Sequence, residues 1–292
     1  MAQDLSPCCH INALARTGRK WIIRLLHVKN AYVLILVLVA RNLPAAGVKP
    51  PAQILNRGVP SIPTKLAEEA KPYLEVRPVH FQDWHPVTKH MLVTQRPKGG
   101  QVSQLHVVEK AGGTLRQITR GKEPVRSARY QPVDGRSLIF NRDESGSERY
   151  QVFHFDLTTG KTTRLTDGKS RHTGARWSPD GKRVVYFSPK RNGRDNDLYV
   201  VDPTRPGSEK LLAKLSGGGW WLEDWSNDGK LMILLEYISI THTRLHILDA
   251  NTGKRSLFTP KLSEEVSYRN ARFDSQRQAI YYTCDEDSNF QY

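Results

Sequence analysis

His242 and His246 stand four residues apart. On a helix that spacing would bring both imidazoles to one face, where they could share a metal ion. On a strand it holds them roughly 13 Å apart, beyond a common tetrahedral site. Asp285, Asp287 and Asn289 imitate the start of a calcium loop, but the required glycine at the sixth position is Phe290 and no glutamate stands at the twelfth. A polar loop between strands is the better reading. Cys284 follows the strand-like Ile280-Tyr281-Tyr282-Thr283. No base is singled out beside it, so it reads as a small hydrophobe rather than a nucleophile. These residues supply no catalytic set, no metal set and no cofactor site. Four charged residues are different, because each immediately precedes an aromatic: Arg129, Arg176, Asp224 and Arg272.

Those aromatics belong to a repeat. Trp84, Tyr130, Trp177, Trp225 and Phe273 follow one another at spacings of 46, 47, 48 and 48 residues. A second anchor keeps pace 20 to 23 residues later, in Leu105-His106-Val107-Val108, Phe153-His154-Phe155-Asp156, Leu198-Tyr199-Val200-Val201-Asp202 and Leu245-His246-Ile247-Leu248-Asp249. In the third unit Thr173 to Trp177 reads as a strand, and Asp180-Gly181 as a hairpin turn that uses the positive φ glycine accepts. Arg183 to Ser188 follows, with Val185 and Phe187 on one face and Val184 and Tyr186 on the other. Two apolar faces suit a sheet packed between two neighbours. Asp197 to Asp202 and Glu209 to Ala213 complete four strands. Four antiparallel strands at this period describe a β-propeller blade.

The fold expected is therefore all-β: a partial propeller over residues 80–292, with about four complete four-stranded blades and the start of a fifth. The given chain stops inside that fifth repeat, as if it were the front of a longer design. In a propeller the first strand of each blade lines the central channel, which places Arg129, Arg176, Asp224 and Arg272 there, with Arg171 and His172 as rim contacts in the loop entering the third blade. A channel lined by arginines attracts carboxylate-bearing peptides. The alternative, which the sequence favours, pairs these arginines with loop aspartates such as Asp134 and Asp180. The five aromatic anchors, recurring once per blade, read as core. His106, His154 and His246 share one repeat position with Tyr199, so blade packing explains them better than metal binding. Trp220 and Trp221 are extra to the repeat and suggest a stacking surface at a rim.

Composition agrees with a globular chain. The 292 residues are 38% hydrophobic and 25% charged, too apolar for a disordered protein. Three cysteines, Cys8, Cys9 and Cys284, exclude a disulfide scaffold. The net charge is +15, of which residues 1–50 carry +6 and the remainder +9. No run of four basic residues occurs, and charge spread in this way argues against nucleic-acid binding. The ten-residue apolar core Ala31 to Ala40, with basic residues before it and Pro44-Ala45-Ala46 after it, reads as a secretory leader over residues 1–47 and is too short for a stable membrane span. Its n-region is abnormally long, and the start near Val28 is an alternative; a buried helix or an uncleaved anchor is the rival to an export leader. Residues 48–79, with Pro50-Pro51, read as a linker and N-terminal segment. Export, to the periplasm, follows from the leader.

Several stretches, in order, carry a family resemblance. Pro72-Tyr73-Leu74-Glu75, Phe81, Trp84-His85-Pro86, Gln104-Leu105-His106, Thr166-Asp167-Gly168-Lys169-Ser170-Arg171, Arg191-Asn192-Gly193-Arg194-Asp195 and Gly218-Gly219-Trp220 resemble the opening of bacterial S9 (prolyl oligopeptidase) family serine peptidases. The single motif aromatic-Ser-Pro-Asp-Gly is also shared by TolB-type propellers. The resemblance spans residues 64 to 292 and implies a propeller that admits short peptides to an α/β-hydrolase domain. This chain holds no Gly-x-Ser-x-Gly nucleophile elbow. The expectation is a substrate-gating, docking propeller, inactive by itself, whose partners are short peptides and a hydrolase domain. A TolB-like periplasmic scaffold that binds protein partners without catalysis is the alternative. Glu264-Glu265 is a pair, but it lacks the sequence context of the double-glutamate motif of dipeptidyl peptidases and is given no role.

Overall fold

The computed structural model describes residues 47–260, 265–276, 278–288 and 290–291. The leader, Cys8, Cys9, Glu264 and Asn289 lie outside the described residues. The chain divides into two compact units, Met1–Leu74 and Glu75–Tyr292.

In the first unit Gly47 bridges Pro63, and helix α1 runs over Thr64–Leu74. The helix stands inside the segment read as a linker. Ala, Glu, Lys and Leu favour it locally, and Lys65 and Glu69 face one another one turn apart at 3.8 Å. It buries none of its residues, which is why no apolar period announced it. No described helix is long and apolar enough to cross a membrane.

The second unit is a series of antiparallel sheets, one per repeat. Sheet 1 holds β1 (His80–Trp84), β2 (Met91–Gln95), β3 (Gln104–Val108) and β4 (Arg116–Gln117). Sheet 2 holds β5 (Arg126–Tyr130), β6 (Ser137–Arg142), β7 (Gln151–Asp156) and β8 (Thr162–Arg164). Sheet 3 holds β9 (Thr173–Trp177), β10 (Val184–Ser188), β11 (Asp197–Val201) and β12 (Lys210–Ala213). Sheet 4 holds β13 (Trp220–Trp225), β14 (Leu231–Tyr237), β15 (Thr243–Asp249) and β16 (Arg255–Leu257). Sheet 5 is the pair β17 (Arg269–Phe273) and β18 (Ile280–Thr283). Four complete blades and the beginning of a fifth are thus present. Among the described residues they do not close into a ring.

The tight turns follow from short polar side chains. At the Asp180-Gly181 hairpin Ser178 donates to Asp180, Lys182 N–H donates to the same carboxylate at 3.1 Å, and Gly181 sits at φ +67°. A side chain at Gly181 would also collide with Gln131 of sheet 2. The outer strands are short. β8 and β16 end at Arg164 and Leu257, after which Thr166 and Thr259 turn inward so that their hydroxyls accept the N–H of Val152 and Leu245.

Alternation builds the core. Val184 and Tyr186 of β10 pack toward sheet 2, with Ile139, Val152 and Trp177. Val185 and Phe187 pack toward sheet 4, with Trp225, Met232 and Leu234. Similar clusters join sheets 1 and 2 around Leu105, Phe140 and Phe153, and sheets 4 and 5 around Ile233, Leu245 and Tyr268. Each apolar cluster is therefore one blade-to-blade junction. Tyr130, Trp177 and Trp225 are buried in these clusters and Phe273 is half-buried. Trp84 is the exception, 53% exposed, because no described earlier sheet lies against sheet 1.

Candidate ligand-binding site at the inner strands

The first strand of each sheet carries a bulge. Register slips at Phe81/Asp83, Arg126/Arg129, Leu222/Asp224 and Arg269/Arg272, and opposite Val185/Phe187. In sheets 2, 3 and 5 the bulge puts Ser127, Gly174 and Asn270, each three residues before its aromatic, at positive φ. A bulge re-aims the side chains beside it. Here those are Asp83, Arg129, Arg176, Asp224 and Arg272, one per blade.

Asp83, Arg129, Arg176, Glu223 and Asp224 line a cavity of about 290 Å³ walled by Tyr130, Trp177, Leu222 and Trp225. Most of its charges are committed to neighbouring blades. The Asp83 carboxylate accepts Tyr130 N–H at 2.9 Å, and Arg129 donates back to the Gln82 carbonyl at 2.8 Å. The same exchange joins sheets 4 and 5: Asp224 accepts Phe273 N–H at 2.8 Å, and Arg272 donates to the Glu223 carbonyl. Arg272 also stands 3.7 Å from the Glu223 carboxylate. These contacts replace the expected pairing with Asp134 and Asp180. Those loop carboxylates are consumed locally, Asp134 by Arg136 N–H and Asp180 by Ser178 and Lys182 N–H.

Arg176 differs from the rest. It makes no hydrogen bond or ion pair with the described residues, although its side chain is accessible. Crowding by protein lowers its pKa first, and the charges of Arg129 and Arg272 add to this, opposed by Glu223 and Asp224. The indole nitrogen of Trp225 also lacks a hydrogen-bond partner among the described residues. Trp177 donates its indole N–H to the Arg129 carbonyl at 3.3 Å, whereas the buried Trp225 indole nitrogen has no acceptor.

Arg171 and His172 sit elsewhere. With Arg126, Tyr150 and Gly174 they line a separate cavity of about 250 Å³. The Arg126 and Arg171 guanidinium carbons lie 5.8 and 5.5 Å from the centre of the Tyr150 ring. His172 is fully buried, its Nε2 3.0 Å from Asp167 Oδ1. Burial lowers its pKa against the opposing pull of Asp167. Burial would raise the Asp167 pKa, but N–H donors from Lys169 and Ser170 and the His172 ring hold it well below the usual carboxylate range.

The remaining chemistry-bearing residues have structural partners. His106 and His246 are buried on β3 and β15, and His246 Nε2 lies 2.8 Å from Glu236. His154 is half-buried and meets the Trp177 ring edge-on at 6.1 Å. Among the described residues no group of three His, Cys, Asp or Glu could hold a metal. Asp285 accepts Ser267 N–H, and Cys284 is half-buried against the last cluster. Trp220 is core, not rim: it donates to the Ser216 carbonyl at 2.8 Å and lies beneath Arg255, while Trp221 is 48% exposed.

Sequence reasoning missed one constellation. Arg191 reaches Asp197 at 2.5 Å and Asp195 at 3.2 Å, and these carboxylates accept the N–H of Leu215 and Gly217. The stretch was visible as a resemblance, but Asp197 lies beyond it, and its partners come from the connection to the next blade.

No family model matches the chain. An uncharacterized protein of Agrobacterium fabrum, Atu1656, is 33% identical over 137 residues, covering 46% of this chain and 43% of that protein. Dipeptidyl-peptidase 5 of Porphyromonas endodontalis is 36% identical over 72 residues, 22% of this chain and 10% of the peptidase. The matched part is thus less than half of either relative. Among solved structures, TolB from Acinetobacter baumannii superposes with a TM-score of 0.50 and 24% identity over 71% of this chain and 51% of its own. The fold is a propeller of the TolB and S9-peptidase kind. A structure from a study of two prolyl endopeptidases reaches a TM-score of 0.58 at 15% identity, over 74% of this chain and 33% of that one. The propeller scaffold is what these solved structures share with the chain, and its inner strands carry the candidate site.

Proposed function

We propose that this propeller binds a peptide or protein segment at its inner strands and serves, in an exported S9-type serine peptidase, to gate substrate and dock against a hydrolase domain. The observation that carries the reading is the cavity between sheets 2, 3 and 4, where an unpaired arginine stands among aromatic walls. The stretches resembling S9 peptidases and the match to dipeptidyl-peptidase 5 support the peptidase context. The chain is inactive alone, since its sequence holds no nucleophile elbow. Purified chain is expected to leave aminoacyl and dipeptidyl reporter substrates intact; turnover by pure material would refute this.

A non-enzymatic, TolB-like periplasmic scaffold is the second reading, favoured by the superposition on TolB. The intact mass of the native polypeptide in its own cells separates the two. A mass at least about double that of 292 residues supports the peptidase. A mass near that of the chain, or slightly less after leader removal, supports the scaffold.

A further inference from the structure

The five positions that precede the aromatic anchors are equivalent by repeat, yet they are not equivalently used. Asp83 and Arg129 exchange hydrogen bonds across one junction, and Asp224 and Arg272 across another. Arg176 is the cation left over. Trp225, which lines the cavity, also carries a buried indole N–H that has no acceptor among the described residues. In sheet 3 the corresponding indole bonds the carbonyl of the preceding inner strand; by the same repeat the acceptor for Trp225 would be the Arg176 carbonyl. Both unmatched donors therefore belong to the junction of sheets 3 and 4.

We infer that Arg176 is the receptor for a peptide carboxylate, held in the cavity between Trp177 and Trp225. This rests on the peptide-binding reading above and adds the chemical group that is recognised. A guanidinium presents a planar pair of N–H donors that matches a carboxylate. The local charge selects a monoanion. Arg129 and Arg272 are already engaged, while Glu223 and Asp224 also line the cavity and repel additional negative charge. A doubly charged phosphate meets one free cation and two nearby acids, and is disfavoured. The aromatic and leucine walls suit the apolar part of a peptide. The carboxylate has two sources with one chemistry, a free C-terminus or an acidic side chain.

The test uses the full chain and three acetylated random tetrapeptide pools: free C-terminal acids without acidic side chains, the same sequences amidated, and amidated sequences with one aspartate. Binding is followed by calorimetry and by the fluorescence of the tryptophans. The acid pool, the aspartate pool or both should bind about tenfold more tightly than the neutral amide pool. Arg176→Gln should bring the charged pools down to the level of the amide pool, without changing that level or the melting temperature. Arg136→Ala, at an exposed hairpin position, should change nothing. Preference for the acid pool assigns a C-terminus, and preference for the aspartate pool assigns a side chain. Equal binding of all pools by the unaltered chain overturns the carboxylate assignment and leaves the peptide-binding reading standing. Loss of amide-pool binding in Arg176→Gln also overturns it, because the arginine would then be structural. No binding by any pool overturns both. Inorganic phosphate should fail to compete, and competition at equal concentration would refute the selection for a monoanion.

Discussion

The junction between sheets 1 and 2 and the junction between sheets 3 and 4 join the same kinds of strands by different means. In the first, Asp83 and Arg129 tie the inner strands together directly. In the second, the inner strands share no such tie among the described residues. Polar contacts lie instead in the segment that passes from β12 to β13, where Asp197 and Asp195 accept the N–H of Leu215 and Gly217 while bound to Arg191, and at Arg183, which donates to the Ala250 carbonyl and to Asn251 of sheet 4. Beneath that segment lies the apolar cluster of Phe187, Leu198, Trp220 and Trp225. A blade held from its connecting segment leaves its channel-side charge unused. The comparison therefore explains how one repeat position can serve as a structural latch in one blade and as a ligand contact in another.

The largest expected effect is at the connecting segment. Asp197 is fully buried, and Asp197→Ala should cost about 3 kcal/mol in urea unfolding, because Leu215 N–H loses its acceptor and Arg191 keeps only Asp195. A cost below about 1 kcal/mol would mean that the apolar cluster and the Arg183 contacts hold sheet 4 to sheet 3 without the connecting segment. Next comes the latch between sheets 4 and 5. Asp224→Ala should cost roughly 1–3 kcal/mol by stranding Phe273 N–H, with faster amide exchange in β17 and β18 but not in β9. Uniform acceleration would remove the distinction between the two kinds of junction.

A tryptophan pair sharpens the contrast further. Trp177→Phe should be more destabilising than Trp225→Phe by about 1 kcal/mol, since only the first breaks an indole hydrogen bond. Equal costs would show that Trp225 has an acceptor in solution. The smallest effect is in pH dependence at the junction of sheets 2 and 3. The buried His172 has a lowered pKa, so below about pH 6.5 the unfolded chain takes up a proton that the folded chain refuses. Its share of stability is complete above that pH and is lost as pH falls toward the folded value. His172→Gln should flatten this acid limb by less than one proton, read from unfolding midpoints between pH 7 and pH 5.5. An unchanged slope would mean that His172 titrates normally and that the other histidines account for the limb.

Much of the architecture was legible in the chain. The aromatic spacing located the inner strands, Asp180-Gly181 marked its hairpin, and the alternation along β10 named the residues facing each neighbour. These features depend on residues close in sequence, where strand periodicity and turn chemistry act. Helix α1 was missed because it has no buried face. Trp84 was misjudged as core because burial needs an opposing sheet, which a repeat count does not supply. The six candidate site residues were chosen by type and position, four for the channel and Arg171 and His172 for the rim. The structure divides them between two cavities and places Arg272 in a latch.

The sequence alone determined that four charged residues, Arg129, Arg176, Asp224 and Arg272, would occupy one position in successive blades. Nothing within any single repeat could say which of them would be paired. That depends on the approach of one inner strand to the next, which is fixed by the bulges, the apolar clusters and the connecting segments together. Hydrogen bonds form only within about 3 Å, so small differences between junctions decide whether a charge is consumed. Tertiary structure made Asp83, Arg129, Asp224 and Arg272 into latches and left Arg176 open to the cavity.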